Sequence, residues 1–180
     1  MRTDYAAADV LAHAEQTPHT VVRLDFVSTD DYAVLRDRFE GAVPAFDVAT
    51  LTGAADWSDV VTRTTAAAPH EFLRYATIDG SPLFAIAGHA TSVTTYLMGN
   101  HVFAEQMFRL DPGILLYAPL RVTIYQDKAG RAHLSVDQPS TRFASFGDPQ
   151  IAAVGQLLDE KLAVLVTHLG LAGATNSEHS

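Results

Sequence analysis

Cysteine is missing from this chain of 180 residues. Disulfides, thiolate catalysis, iron–sulfur clusters and cysteine-type zinc sites are therefore excluded. Positive charge is scarce: 12 basic against 21 acidic residues leave a formal net charge of −9. Phosphate backbones and anionic bilayers repel such a surface, so the composition predicts neither nucleic acid nor membrane as a partner. Long apolar runs are lacking too, and no stretch approaches the roughly 20 residues of a membrane span. The opening Met1-Arg2-Thr3-Asp4-Tyr5 leads into alanine-rich sequence rather than the apolar core of a signal peptide. A cytoplasmic protein is the expectation.

Familiar chemical motifs are missing as well. The sequence has no G-x-x-x-x-G-K-S/T phosphate loop, no G-x-G-x-x-G, no G-x-S-x-G nucleophile elbow and no H-E-x-x-H. Its eight histidines show no spacing that puts two ligands on one strand or helix face. No metal site built from protein ligands alone is expected. No carboxylate pair has a spacing that argues for acid–base work. Asp30-Asp31 reads as a helix cap, and Asp159-Glu160 as a solvated helix face.

What is present is a globular composition, 48% apolar and 18% charged. The pattern divides into an N-terminal helical extension (1–18, with a short helix over 4–15), one α/β domain (19–170) and a disordered tail (171–180). Val22, Leu24 and Phe26 alternate with Arg23 and Asp25, which predicts a half-buried strand over 20–27. Ser28, Thr29 and Asp30 offer caps for a helix carrying Tyr32, Leu35 and Phe39. A second helix is expected over 56–67. Strands follow over 71–78, closed by the turn Asp79-Gly80-Ser81-Pro82, and over 92–98. Arg74 and Tyr75 take opposite faces of the first, so at most one can face a given pocket. Gly99-Asn100 ends the second, and Asn100 can cap a helix over 101–110 that Asp111-Pro112-Gly113 terminates.

A hairpin comes next. Leu116, Ala118, Leu120, Val122 and Ile124 line one face of its first strand, and Ala132, Leu134 and Val136 one face of its second. Matching apolar with apolar sets Val122 opposite Leu134 and Arg121 opposite Ser135. The last helix has Asp148 as its cap, Pro149 as its first residue, and a stripe of Ile151, Val154, Leu158, Leu162, Leu165 and Leu169 that Gly170 ends. The expected class is α/β (α+β): a single-domain mixed sheet with an antiparallel hairpin, helices packed on at least one face.

Tyr96-Leu97-Met98-Gly99-Asn100-His101, with Ala104 and Met107, and Leu116-Tyr117-Ala118-Pro119-Leu120-Arg121 carry a resemblance. Asp137-Gln138-Pro139-Ser140-Thr141 and Phe146-Gly147-Asp148-Pro149 extend it. Over about 92–169 the chain resembles the domain of unknown function 302 family. The resemblance implies a compact α/β domain that pairs into homodimers and implies no settled activity. Many relatives have proline where this chain has His101, and no catalytic residue carries over.

The residues themselves single out His101, at the start of a helix with Phe103, Met107 and Phe108. An imidazole in apolar surroundings suits an axial haem ligand, a general base or plain packing. His89 is a second, weaker candidate, as a ligand or acid–base partner. On the other hairpin face stand Tyr117, Arg121, Thr123 and Tyr125 with Arg131, His133, Ser135 and Asp137. That face is either a platform for a carboxylate, with Arg121 diagonal to Asp137, or a wet or dimeric surface. The loop 138–147, with Arg142, Phe143 and Phe146, either covers a pocket or plugs the core.

Three readings result. The first is a homodimeric small-molecule-binding domain with haem as its sharpest ligand. There His101 would be proximal, Phe103, Met107 and Phe108 the apolar wall, and Arg121 or Arg142 on a propionate. The second is a small metal-free enzyme with His101 as acid or base, and Arg121 and Tyr117 orienting a carboxylate-bearing substrate. The third is a dimerisation module without ligand, for which tight packing around His101 would speak.

Overall fold

The computed structural model describes residues 13–171. The helix expected over 4–15 falls largely outside them, as does the tail beyond Leu171. Leu171 is itself buried, and its N–H donates to the Val166 carbonyl.

Five strands form one sheet in the order β1-β5-β4-β3-β2: β1 (Arg23–Val27), β2 (Leu73–Asp79), β3 (Val93–Gly99), β4 (Leu120–Gln126) and β5 (Ala132–Asp137). Every pairing between these strands is antiparallel. The expected mixed character shrinks to one parallel bridge, Ala45 to Arg74, at the β2 edge. The helices are α1 (Tyr32–Ala42), α2 (Trp57–Ala67), α3 (Ser81–Ile86), α4 (His101–Phe108), α5 (Pro139–Phe143) and α6 (Pro149–His168). The class is α+β, and no described helix is long and apolar enough to cross a membrane.

Period-2 alternation puts Tyr96 and Met98, Val122 and Ile124, and Leu134 and Val136 on one sheet face. There they join Leu35 and Phe39 of α1 and Leu158, Leu162 and Leu165 of α6 in one buried cluster. Burying each such side chain is worth about 1.5–3 kcal/mol. The long helix α6 forms as its sequence predicts: Asp148 accepts from the N–H groups of Gln150 and Ile151, and Gly170 leaves the helix at φ +73°. Arg38 of α1 donates to the Leu169 carbonyl at 2.9 Å and pairs with Asp30 at 2.8 Å, tying the two helices together.

Several expectations need correction. In the hairpin Val122 faces Val136 and Thr123 faces Ser135, two residues away from the expected register. Leu116 and Ala118 precede the strand. The segment Pro112–Leu116 is a 3-10 turn, and Leu116 is 76% exposed. Of the cap candidates, Asp31 of the Asp30-Asp31 pair takes the role, accepting from the Val34 N–H, and Ser28, Thr29 and Asp30 do not. Asp79-Gly80-Ser81-Pro82 does not merely close a strand; it opens α3. The expected loop 138–147 is helical, as α5 and a 3-10 turn over Ala144–Phe146. Asp159 is no solvated residue: it accepts from Gln138 Nε2 (2.7 Å), Ser140 N (2.9 Å) and Ser140 Oγ (2.6 Å), pinning α5 to α6.

Candidate functional site

Strand β3 ends at Gly99 and the chain turns at once into α4. Asn100 caps that helix, its Oδ1 accepting from Val102 N at 2.8 Å. Its Nδ2 donates to the Glu71 carbonyl at 2.9 Å. Glu71 is the one non-glycine residue with positive φ (66°) among those described. Its side chain takes Lys161 of α6 at 2.9 Å, so the cap of α4 is referenced to α6 through a single unusual backbone position.

His101 follows, and both its ring nitrogens are taken. Nδ1 lies 2.8 Å from the Tyr75 hydroxyl and Nε2 2.6 Å from Thr64 Oγ1. Thr64 donates to the Val60 carbonyl at 2.7 Å, and its only proton is thereby spent. It must accept from His101 Nε2–H. Nδ1 is then the acceptor, and the Tyr75 O–H donates to it. The Tyr75 oxygen in turn accepts the His101 backbone N–H at 3.1 Å. Hydrogen-bond bookkeeping thus assigns a neutral Nε2–H tautomer. Burial pushes the imidazole below its ordinary pKa and the Tyr75 phenol above its own. Phe46 and Trp57 pack edge-on to the ring at 5.5 and 6.5 Å.

Tyr75 reaches this position because it sits on a bulge. Arg74 pairs with Met98 and Ala76 with Leu97, leaving Tyr75 as the extra residue. Arg74 goes elsewhere, to the Val43 carbonyl at 3.1 Å and Glu40 at 3.7 Å. The alternation that kept Arg74 and Tyr75 apart is sound, but periodicity carries no sign of the bulge. Tyr75 and Thr64 are the site residues that the sequence did not reveal.

Beside this dyad lies a cavity of about 270 Å³. Phe103, Ala104 and Met107 of α4, Phe143 of α5, Leu158 of α6 and Pro119 supply much of its wall, with Tyr75, Asn100 and His101 at its polar corner. Of the predicted wall, Phe103 and Met107 are present, while Phe108 is 44% exposed and outside it. Phe143 lines the cavity and is wholly buried, so it serves both expected roles; Phe146 packs on Tyr117 at 6.0 Å.

Tyr117, Arg121 and Arg142 line a neighbouring pocket of about 380 Å³ with Asp137. They are not gathered around His101. Asp137 takes Arg142 at 2.5 Å rather than the expected Arg121. His89 is exposed in the turn after α3, its backbone N–H on the Phe84 carbonyl, and is neither a ring partner of His101 nor part of the cavity lining. His133 serves the hairpin, stacked on Tyr125 at 4.9 Å and 3.0 Å from Asp127.

Haem does not fit these residues. Neither nitrogen of His101 is free to bind iron, and the cavity falls below the roughly 300–1,000 Å³ of ordinary small-molecule sites. Among the described residues no three histidine, aspartate or glutamate side chains gather where a metal ion could be held.

No curated protein matches the sequence. Among solved structures, the fold is similar to the crystal structure of an uncharacterized conserved protein of the DUF302 type from Bacillus stearothermophilus. The TM-score is 0.61 at 11% identity, covering 82% of this chain and 97% of that one. At that identity the likeness concerns the fold alone. The family described as domain of unknown function DUF302 matches residues 49–169, a span that takes in Thr64 and Tyr75 as well as His101. Since that span is more than half of the chain, this protein belongs to the DUF302 family.

Proposed function

We propose that this domain binds a small, largely apolar molecule in the cavity beside His101, and that the ligand offers one hydrogen-bond donor to the Tyr75 oxygen. The observation that carries the reading is the pairing of apolar walls with a single polar corner whose protons are already committed. The Tyr75 oxygen gives its proton to His101 and accepts one N–H, so its remaining lone pair is an acceptor for the ligand. Apolar cavities stay dry and take apolar guests of matching size. A room of this kind next to His101 also speaks against a module without ligand.

Indole is a suitable probe, being apolar with one N–H donor. Titration calorimetry of the whole chain is expected to show saturable indole binding. Ala104→Phe, which fills the room from α4, should weaken it at least tenfold while the thermal midpoint stays within a few degrees. A folded wild-type protein with no saturable indole binding would overturn the reading.

A metal-free enzyme is the second reading, favoured by the Tyr75–His101 contact alone. A substrate would then meet the imidazole through the phenol rather than directly. Pairing into a homodimer and residence in the cytoplasm belong to the proposal as well. Pairing is supported by the family resemblance and by the end of the sheet face bearing Thr95, Thr123 and Tyr125, which lies opposite the buried cluster.

A further inference from the structure

We propose that the pocket between Arg121 and Arg142 is a head-group site for a monocarboxylate whose apolar body occupies the cavity beside His101. The inference rests on the binding reading above and extends it to the charge of the ligand.

Arg121 stands on the central strand, opposite Leu97, and its exposed side chain makes no hydrogen bond or ion pair among the described residues. A carboxylate across the ladder would stabilise such a guanidinium. Asp137, the nearest candidate, is taken by Arg142, whose Nε and Nη2 lie 3.2 and 2.5 Å from Asp137 Oδ2. Arg142 is held flat as well, its guanidinium carbon 5.0 Å from the Tyr117 ring centroid. Two guanidinium groups therefore face one carboxylate, and the pocket keeps one uncompensated positive charge.

The remaining wall is apolar. Leu97, Leu115, Leu116 and Pro119 line it, with Leu115 54% and Leu116 76% exposed. A fork-shaped cation with apolar flanks matches a carboxylate on a hydrocarbon body better than a hydrated phosphate. The rest of the chain sharpens the choice. At a net charge of −9 its field repels polyanions, and a single negative charge meets the local cation at the least cost. The two rooms share Leu115, Pro119 and Leu120 in their linings and so adjoin along these residues, where an apolar body in the first would carry a short carboxylate arm toward the second.

The test compares indole with indole-3-acetate, indole-3-propionate and indole-3-butyrate by calorimetry at low and high salt. At least one acid is expected to bind tenfold or more tightly than indole at low salt, and to lose that advantage at high salt. Arg121→Gln should bring the acid to the level of indole and leave indole itself unchanged. Equal binding of indole and all three acids, or an advantage that survives in Arg121→Gln, overturns the head-group site and leaves the cavity reading standing. Acids that lose affinity in Arg121→Gln but ignore Ala104→Phe uphold the head-group pocket and overturn its link to the cavity. Failure of every probe with wild type overturns both.

Discussion

His101 could be singled out by its place after Gly-Asn at a helix start, but its chemistry could not be read from there. What the ring does depends on Thr64, 37 residues away, and on Tyr75, which only a bulge brings into reach. Sequence periodicity assumes an unbroken ladder, and a single extra residue defeats it. The burial of the imidazole has a consequence for acid stability. His101 titrates below its ordinary value because burial disfavours its charged form. His70 does so for the same reason, and because His168 stacks on it at 3.9 Å. Between those depressed values and the ordinary value of about 6.5, the unfolded chain binds protons that the folded chain refuses. The contribution of these two histidines is therefore fully present above about pH 6.5 and is lost as the pH falls through their folded values. Urea unfolding at a series of pH values should show this decline, and His101→Gln, which keeps one donor and one acceptor, should flatten it. An unchanged slope in that variant would mean that the imidazole is solvated in the native state.

Elements were more legible than their partners. All five strands and the long final helix were foreseen, since alternation and capping are local signals. The hairpin register was not, for a plain reason: a slip of two residues leaves every side chain on its own face, so alternation cannot choose between them. The choice is made in the loop. Asp127 accepts from Ala129 N, Arg131 N, Arg131 Nε and His133 Nε2, and so closes the turn between Gln126 and Ala132. Helix packing was equally hidden. Gly155 reads as a weak point within α6, yet a Cβ there would lie 3.1 Å from both Phe143 Cβ and Ser140 Cα. The glycine is what allows α5 to lie against α6. Gly155→Ala should gain about 1 kcal/mol of helix propensity and lose more, about 1–3 kcal/mol, to overpacking. Denaturant titration will show a net loss if the close approach matters, and a net gain if α5 moves aside freely.

At the scale of the molecule, the core lies against one face of the sheet and the opposite face carries half-buried threonines, Leu97 and Tyr125. The proposed homodimer uses the part of that face around Thr95 and Thr123, which touch at 3.2 Å, and leaves Leu97 and Arg121 to the neighbouring pocket. Sedimentation should give twice the chain mass of 19.4 kDa, and Thr123→Lys should return the single mass by setting like charges against each other. A wild-type chain that sediments at 19.4 kDa at micromolar concentration would exclude the pairing. The cavity has a different relation to the whole. Its walls come from positions as far apart in the chain as Phe72 and Leu158. A chain leaving the ribosome owns no such room until α6 has emerged and closed over α4, so the cavity cannot exist before Leu158 is in place. Whatever occupies it has no purchase on chains still lacking α6 and draws only those that have it toward the folded state.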